Sequence, residues 1–319
     1  MTTETERAAP AAPAAAVATA PGDLLLGNGA ALTMILAWGT VFPLVEQLLL
    51  SWDILSTTAA RQTIGALALL AMLWARKRVF PLRRSLPWRR IVLLGLFGPA
   101  LSSTLTTLAV ATAGSVAVAI VYSMGPIVAA LTARILFRIP LQAGIGIGIG
   151  FACLGGLILK AGQLGETEVT GGELFMLASM VAWTWYSVAC QRWLAGMSQL
   201  EIAALSMLPV GVILALAVAL AGVTGAFAVH APLDATTISL ALFIGLVPIG
   251  MGNLMWHVTV SRLGVSLTAI YGNLIPVVAV LIATAFGARP TLLHLLGGLV
   301  ILAGAIYAQV RGRREALPR

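Results

Sequence analysis

Asn253, Trp256 and His257 are spaced so that, on a helix, an amide, an indole and an imidazole share one face. At a shift of 150 residues, Ser103, Thr106 and Thr107 repeat that spacing with hydroxyls. Such groups exchange hydrogen bonds with a polar ligand or with water, or glue helices together. Trp38 and Trp183 follow an alanine in the paired strings AWGTVFP and AWTWYSV, and Tyr186 and Cys190 share the helix face of Trp183. Tyr122 and Tyr271 stand four and five residues before Pro126 and Pro276. Flat aromatic walls with a few polar groups suit an aromatic or amphipathic small molecule. Asn253, Asn273 or the carbonyls freed at the two prolines would hold its polar end.

Two ionisable residues stand inside apolar runs, where each costs about 2.5–3.5 kcal/mol at mid-helix. Glu46 and Arg61 flank the short loop Ser51-Trp52-Asp53. An ion pair between them would serve as a structural clasp, a gate or a contact to substrate. His257 titrates near neutrality in water and is the candidate for coupling to protons. Other motifs lead nowhere. GIGIGIG at 144–150 follows no strand and reads as close helix packing. His230 and Asp234 lack a matching nucleophile or metal partner, and Cys153 and Cys190 lie within apolar runs. No metal site and no cofactor is expected.

The elements that carry these residues follow from composition. Hydrophobic residues make up 60% of the 319 and charged residues 9%. A soluble domain has about a quarter of its residues charged, so an integral membrane protein is expected. Apolar runs near the roughly 20 residues that cross a bilayer as a helix recur down the chain. They are apolar all round, whereas barrel strands alternate. Ten spans are predicted, at about 26–49, 54–75, 90–111, 115–136, 140–159, 172–194, 200–222, 237–260, 265–286 and 291–310. Residues 1–22, rich in alanine and proline, are expected to be a disordered cytoplasmic tail, and 311–319 a basic one.

With the N-terminus inside, 16 of the 19 lysines and arginines fall on the cytoplasmic side. Only Lys160 and Arg289 fall outside, with Arg61 buried in the second span. The net charge of +8 then reflects topology and anionic lipid, and nucleic acid is not an expected partner.

IVYSMGPIVAAL at 120–131 and IYGNLIPVVAVL at 270–281 share five of twelve positions. The same shift of 150 pairs Gly95 with Gly245, Gly114 with Gly264, Pro140 with Pro290 and Gly148 with Gly298. A shift of 145 pairs Trp38 with Trp183. The expected fold is therefore all-α, with two five-helix repeats, 26–159 and 172–310, around a central cavity. Five is odd, so the second repeat must lie inverted, an arrangement typical of alternating-access transporters. A duplicated scaffold without a transport role is the bland alternative.

AWGTVFP, AWTWYSV and the paired segments GPIVAAL…FRIPLQAGIGIG and IPVVAVL…GARPTLLHLLGG resemble the drug/metabolite transporter superfamily, EamA type. Among its members the chain is most similar to the aromatic amino acid exporters of the YddG type. The resemblance covers about 30–308 and implies ten helices, two repeats and both termini inside. Such proteins usually carry a glutamate shortly before the proline opening each repeat's last helix; here those positions hold Arg138 and Ala288. No role of that glutamate carries over.

The function expected is export of small amphipathic metabolites, amino acids including aromatic ones, across the cell membrane. The candidate binding residues are Trp38, Ser103, Thr107, Tyr122, Trp183, Tyr186, Asn253, Trp256, His257, Tyr271 and Asn273, with Glu46 and Arg61 as a gate pair. One alternative is a broad drug efflux protein, which would need a mostly apolar cavity. A membrane-embedded enzyme would need clustered acids, bases or nucleophiles at one membrane face, and the sequence offers none.

Overall fold

The computed structural model describes residues 21–77, 86–141, 144–161, 171–225, 227 and 229–316. The predicted leader, apart from its last two residues, lies outside them, as do most of the acidic loop 160–171 and part of the basic run after residue 77. The described residues fold as helices, and none forms a strand. In chain order the helices are α1 (Pro21–Gly39), α2 (Val41–Leu49), α3 (Ile54–Lys77), α4 (Trp88–Gly95), α5 (Leu101–Tyr122), α6 (Gly125–Phe137) and α7 (Ile145–Ala161). Then come α8 (Gly172–Trp193), α9 (Gln199–Thr224), α10 (Ala235–Ile244), α11 (Asn253–Gly272), α12 (Ile275–Ala285) and α13 (Leu292–Ala316). Six segments are long and apolar enough to cross a membrane, and four shorter apolar helices accompany them. Leucines such as Leu67, Leu220, Leu281 and Leu299 stand exposed on the outside, as lipid-facing positions do.

The predicted spans are broken in informative places. The first is two helices that part at Thr40, whose hydroxyl donates back to the Ala37 carbonyl at 2.7 Å. Pro43, just beyond, has no N–H to continue the ladder. Gly39 lies so close to α12 that a Cβ there would sit 2.4 Å from a Val278 methyl. The third predicted span is α4 and the start of α5, joined by a wide turn at Leu96–Ala100 that contains Pro99. The eighth is α10 and the start of α11, joined by a wide turn at Gly245–Gly252 that contains Pro248. Gly114, at φ 77° and ψ 163°, turns the chain inside α5 between the third and fourth predicted spans. α11 continues through the expected gap at 261–264. The helical runs stop at 123–124 and again at 273–274, in the same register of the doubled stretch. Pro126 and Pro276 each stand in the first turn of the helix that follows, where a missing N–H costs nothing. The basic segment expected as a tail from 311 continues α13 to Ala316.

Packing pairs the helices crosswise: α3 lies on α9, α7 on α13, α1 on α11 and α5 on α8. Small residues permit the close crossings. A Cβ on Gly155 would lie 2.6 Å from the Gly297 carbonyl, and one on Gly304 would lie 2.3 Å from Phe151. Within the glycine run, Gly146 and Gly150 face open space, while the Gly148 carbonyl borders Gly304. Each of these four pairs joins a helix of the first half of the chain to one of the second, and a space remains between them.

Candidate functional site

That space is a cavity of about 230 Å³, reached by α1, α2, α3, α5, α6, α8, α9, α11 and α12. One side is aromatic. Trp38 stacks on Trp256 with ring centroids 5.4 Å apart and meets Trp183 edge-on at 5.9 Å. Phe42 meets Tyr122 edge-on at 5.5 Å. The Trp38 indole N–H donates to the Pro248 carbonyl at 3.0 Å, one of the groups that the wide turn exposes. Gly252 makes room for it, since a Cβ there would lie 2.6 Å from Trp38 Nε1.

Polar groups are set into the remaining, largely apolar lining. On α5 and α8, Ser179 exchanges hydrogen bonds at 2.8 Å with both Ser102 and Thr106, and also donates to the Ser102 carbonyl. Gln62 Nε2 donates to the Pro99 carbonyl at 3.3 Å, as Trp38 does to Pro248 in the other wide turn. Arg61 Nη2 donates to the Ser103 carbonyl at 2.8 Å, the Ser103 hydroxyl at 2.6 Å and Thr107 Oγ1 at 3.0 Å. Asn253 Nδ2 donates to the Ile249 carbonyl, which leaves its second N–H and its oxygen as ligand-type groups.

Of the residues singled out from sequence, Trp38, Ser103, Tyr122, Trp183, Asn253, Trp256 and Asn273 line the cavity. Four do not. Thr107 stands behind Arg61, hydrogen-bonded by it and by Thr58. The Tyr186 hydroxyl pairs with Ser206 at 2.7 Å while its ring covers Gly98. Tyr271 donates to Asn28 Oδ1 at 2.8 Å, tying α11 to α1. His257 is half-buried off the lining, one residue round the helix from Trp256.

The expected Glu46–Arg61 ion pair does not form; among the described residues the one salt bridge joins Lys77 to Glu201. Glu46 instead accepts from the Ser115 N–H at 3.1 Å and from its hydroxyl. It thereby caps the helical segment that restarts after Gly114, where free N–H groups attract a carboxylate. Arg61 points away, toward α5, and lines the cavity.

Sequence reading missed Phe42, Gln62, Ser102, Thr106's partner Ser179, Thr184 and the methionines at 176, 180 and 207. One signal was available. The shift of 145 that pairs the tryptophans also pairs Gln62 with Met207, and both line the cavity.

Beyond the membrane segments, two loops are tied together. Asp53 accepts from the Ser56 N–H and hydroxyl and from the His230 N–H, while its own N–H donates to the His230 carbonyl. Trp52 Nε1 donates to the Pro232 carbonyl at 2.9 Å. Partial burial pushes the Asp53 carboxyl up, but the hydrogen bonds from Ser56 and His230 outweigh it and hold it below the usual range.

An all-helical bundle with apolar spans, broken helices and an amphipathic cavity between its halves defines a membrane transport protein. A family model for EamA-like transporters matches the chain twice, over 25–160 and 170–308. The chain belongs to the EamA-like transporter family. It is 26% identical over 284 residues to a probable terminal-alkyne amino-acid exporter of Streptantibioticus cattleyicolor, covering 88% of this chain and 93% of that one. It is also 26% identical over 205 residues to YyaM, an uncharacterized transporter of Bacillus subtilis. That match covers 60% of this chain and 63% of the relative, so it spans less than two thirds of the relative's length. A crystal structure with 21% identity shares the fold at a TM-score of 0.65, over 92% of this chain and 99% of its own.

Proposed function

We propose that this protein exports small amphipathic metabolites, amino acids including aromatic ones, across the cell membrane by alternating access. The cavity carries the reading. Three tryptophans wall one side of it, hydroxyls, amides and one guanidinium are set into an otherwise largely apolar lining, and residues of both halves of the chain contribute. Its volume of about 230 Å³ falls below the about 300–1,000 Å³ of sites for drug-sized ligands. That favours a metabolite over a bulky drug. The relative named as an amino-acid exporter points the same way.

The six long apolar segments, with the four shorter apolar helices, support a reading of ten spans, five in each half of the chain. Two separate family matches, and helix breaks in register at 123–124 and 273–274, support two inverted repeats. The basic residues after the second span and at the C-terminus support cytoplasmic termini. Trp38, Ser103, Tyr122, Trp183, Asn253, Trp256 and Asn273 are the proposed substrate contacts, with alternation repacking the broken helices around them. Counterflow in proteoliposomes against a panel of amino acids tests the reading. Exchange of phenylalanine or tryptophan is expected, and exchange of lipophilic cations with no amino acid would replace it with the drug-efflux alternative.

A further inference from the structure

Arg61 is 2% exposed, yet no carboxylate of the described residues pairs with it. It is also the one charged residue among those lining the cavity. Its three hydrogen bonds all leave from Nη2, toward neutral oxygens of Ser103 and Thr107, and Nε has no partner. A guanidinium stays protonated in proteins, so the cavity carries one uncompensated positive charge. Removing that charge from water costs several kcal/mol unless an anion returns the interaction. The neighbouring groups are arranged to help an anion. Ser103 Oγ accepts from Arg61, which leaves its own proton to donate, and Ser103 lines the cavity too. Gln62, on the next residue, spends Nε2 on the Pro99 carbonyl while its Oε1 is buried without a partner. An acceptor beside a guanidinium matches the ammonium beside a carboxylate.

We propose that Arg61, with Ser103, is the carboxylate-recognising group of the cavity. The ligand is then an amphipathic carboxylate whose apolar end lies against Trp38, Trp183 and Trp256, and Gln62 Oε1 takes an ammonium where the ligand has one. This rests on the transport reading only in taking the cavity as the ligand site. It adds that the anionic end, and no cationic end, is required.

The test is direct binding to the full-length protein in nanodiscs, followed by quenching of tryptophan fluorescence. The ligands are phenylalanine, hydrocinnamate, phenethylamine and hydrocinnamyl alcohol. In the native protein the two carboxylates are expected to bind about tenfold or more tighter than phenethylamine, the range for a hydrogen bond to a charged group. Arg61→Gln is expected to weaken hydrocinnamate by about tenfold or more, to the level of the alcohol. The alcohol should change by less than about threefold, which reports an intact cavity, and Arg61→Lys should recover part of the loss. Equal loss of acid and alcohol in Arg61→Gln, or phenethylamine binding as tightly as hydrocinnamate to the native protein, would overturn the proposal. Because the native ligand series needs no variant, poor folding of Arg61→Gln leaves the question decidable. Amino-acid counterflow without carboxylate selectivity would sink this inference and spare the transport reading. Arg61-dependent selectivity for hydrocinnamate without amino-acid counterflow would do the reverse.

Discussion

Trp38 and Trp183 occupy matched places in the two copies and are held differently. α1 ends one residue after Trp38, and its indole is latched to the Pro248 carbonyl over Gly252. α8 runs unbroken through Trp183, which meets Trp38 edge-on and Tyr186 at 5.2 Å. At the corresponding wide turn the Pro99 carbonyl is taken by Gln62, Tyr186 covers Gly98, and Ser102 stands where a shift of 150 places Gly252. Related sequences therefore adopt two arrangements in one molecule. The arrangements differ by a helix break and by a hydrogen bond and a ring stack, the last two worth about 0.5–1.5 kcal/mol each.

The sharpest break of the comparison is Gly252→Ala. Its methyl would displace the Trp38 indole, and a loss of transport of about tenfold or more is expected, the scale of a lost hydrogen bond with a lost stack. Ser102→Ala, at the matched place, removes one member of a hydroxyl cluster and should cost about threefold or less. Equal losses would erase the distinction between the two copies. Next come the tryptophans themselves. Trp183→Ala should weaken phenylalanine binding about two- to tenfold, and Trp38→Ala further because it also loses the bond to Pro248. Threonine should lose less in both, and dose–response curves of counterflow measure this.

Much of this arrangement was legible beforehand. The breaks at 123–124 and 273–274 share a register because Pro126 and Pro276 act locally and lie 150 residues apart, whereas Gly114 turns the chain and its counterpart Gly264 lies inside unbroken α11. The tryptophan pair was legible from its matched register too. Arg61 was not: its partner depends on which way α3 is rotated, and opposite charges near one loop suggested Glu46. Glu46 turned instead to the backbone N–H exposed by the turn at Gly114, a demand no charge pattern reveals. Tyr271 and His257 share apparent faces with lining residues, but helix crossing decides which edge of a face reaches a cavity.

Smaller effects sharpen the account away from the cavity. Glu46→Gln keeps a hydrogen bond and removes the charge at the restarted helix, so a loss of about 0.3–1 kcal/mol is expected, read as a lower unfolding temperature in detergent. The loop clasp is smaller still. Asp53 has its carboxyl held below its ordinary value, so its contribution is present above that value and fades as pH falls through the folded one. Asp53→Asn should therefore lower thermal stability at neutral pH and make no difference in strong acid. A gap between the two proteins that widens on acidification would contradict the sign.

The most direct test of one cavity served by two copies is thiol labelling from each side of the membrane. Asn253→Cys and Ser103→Cys are made in a background lacking Cys153 and Cys190, with Leu67→Cys as a lipid-facing control. Both cavity positions should react with a water-soluble reagent far faster than the control, and phenylalanine should protect both. Labelling as slow as at Leu67→Cys, or labelling that phenylalanine leaves untouched, would mean that the two copies build a packed bundle and no transport path.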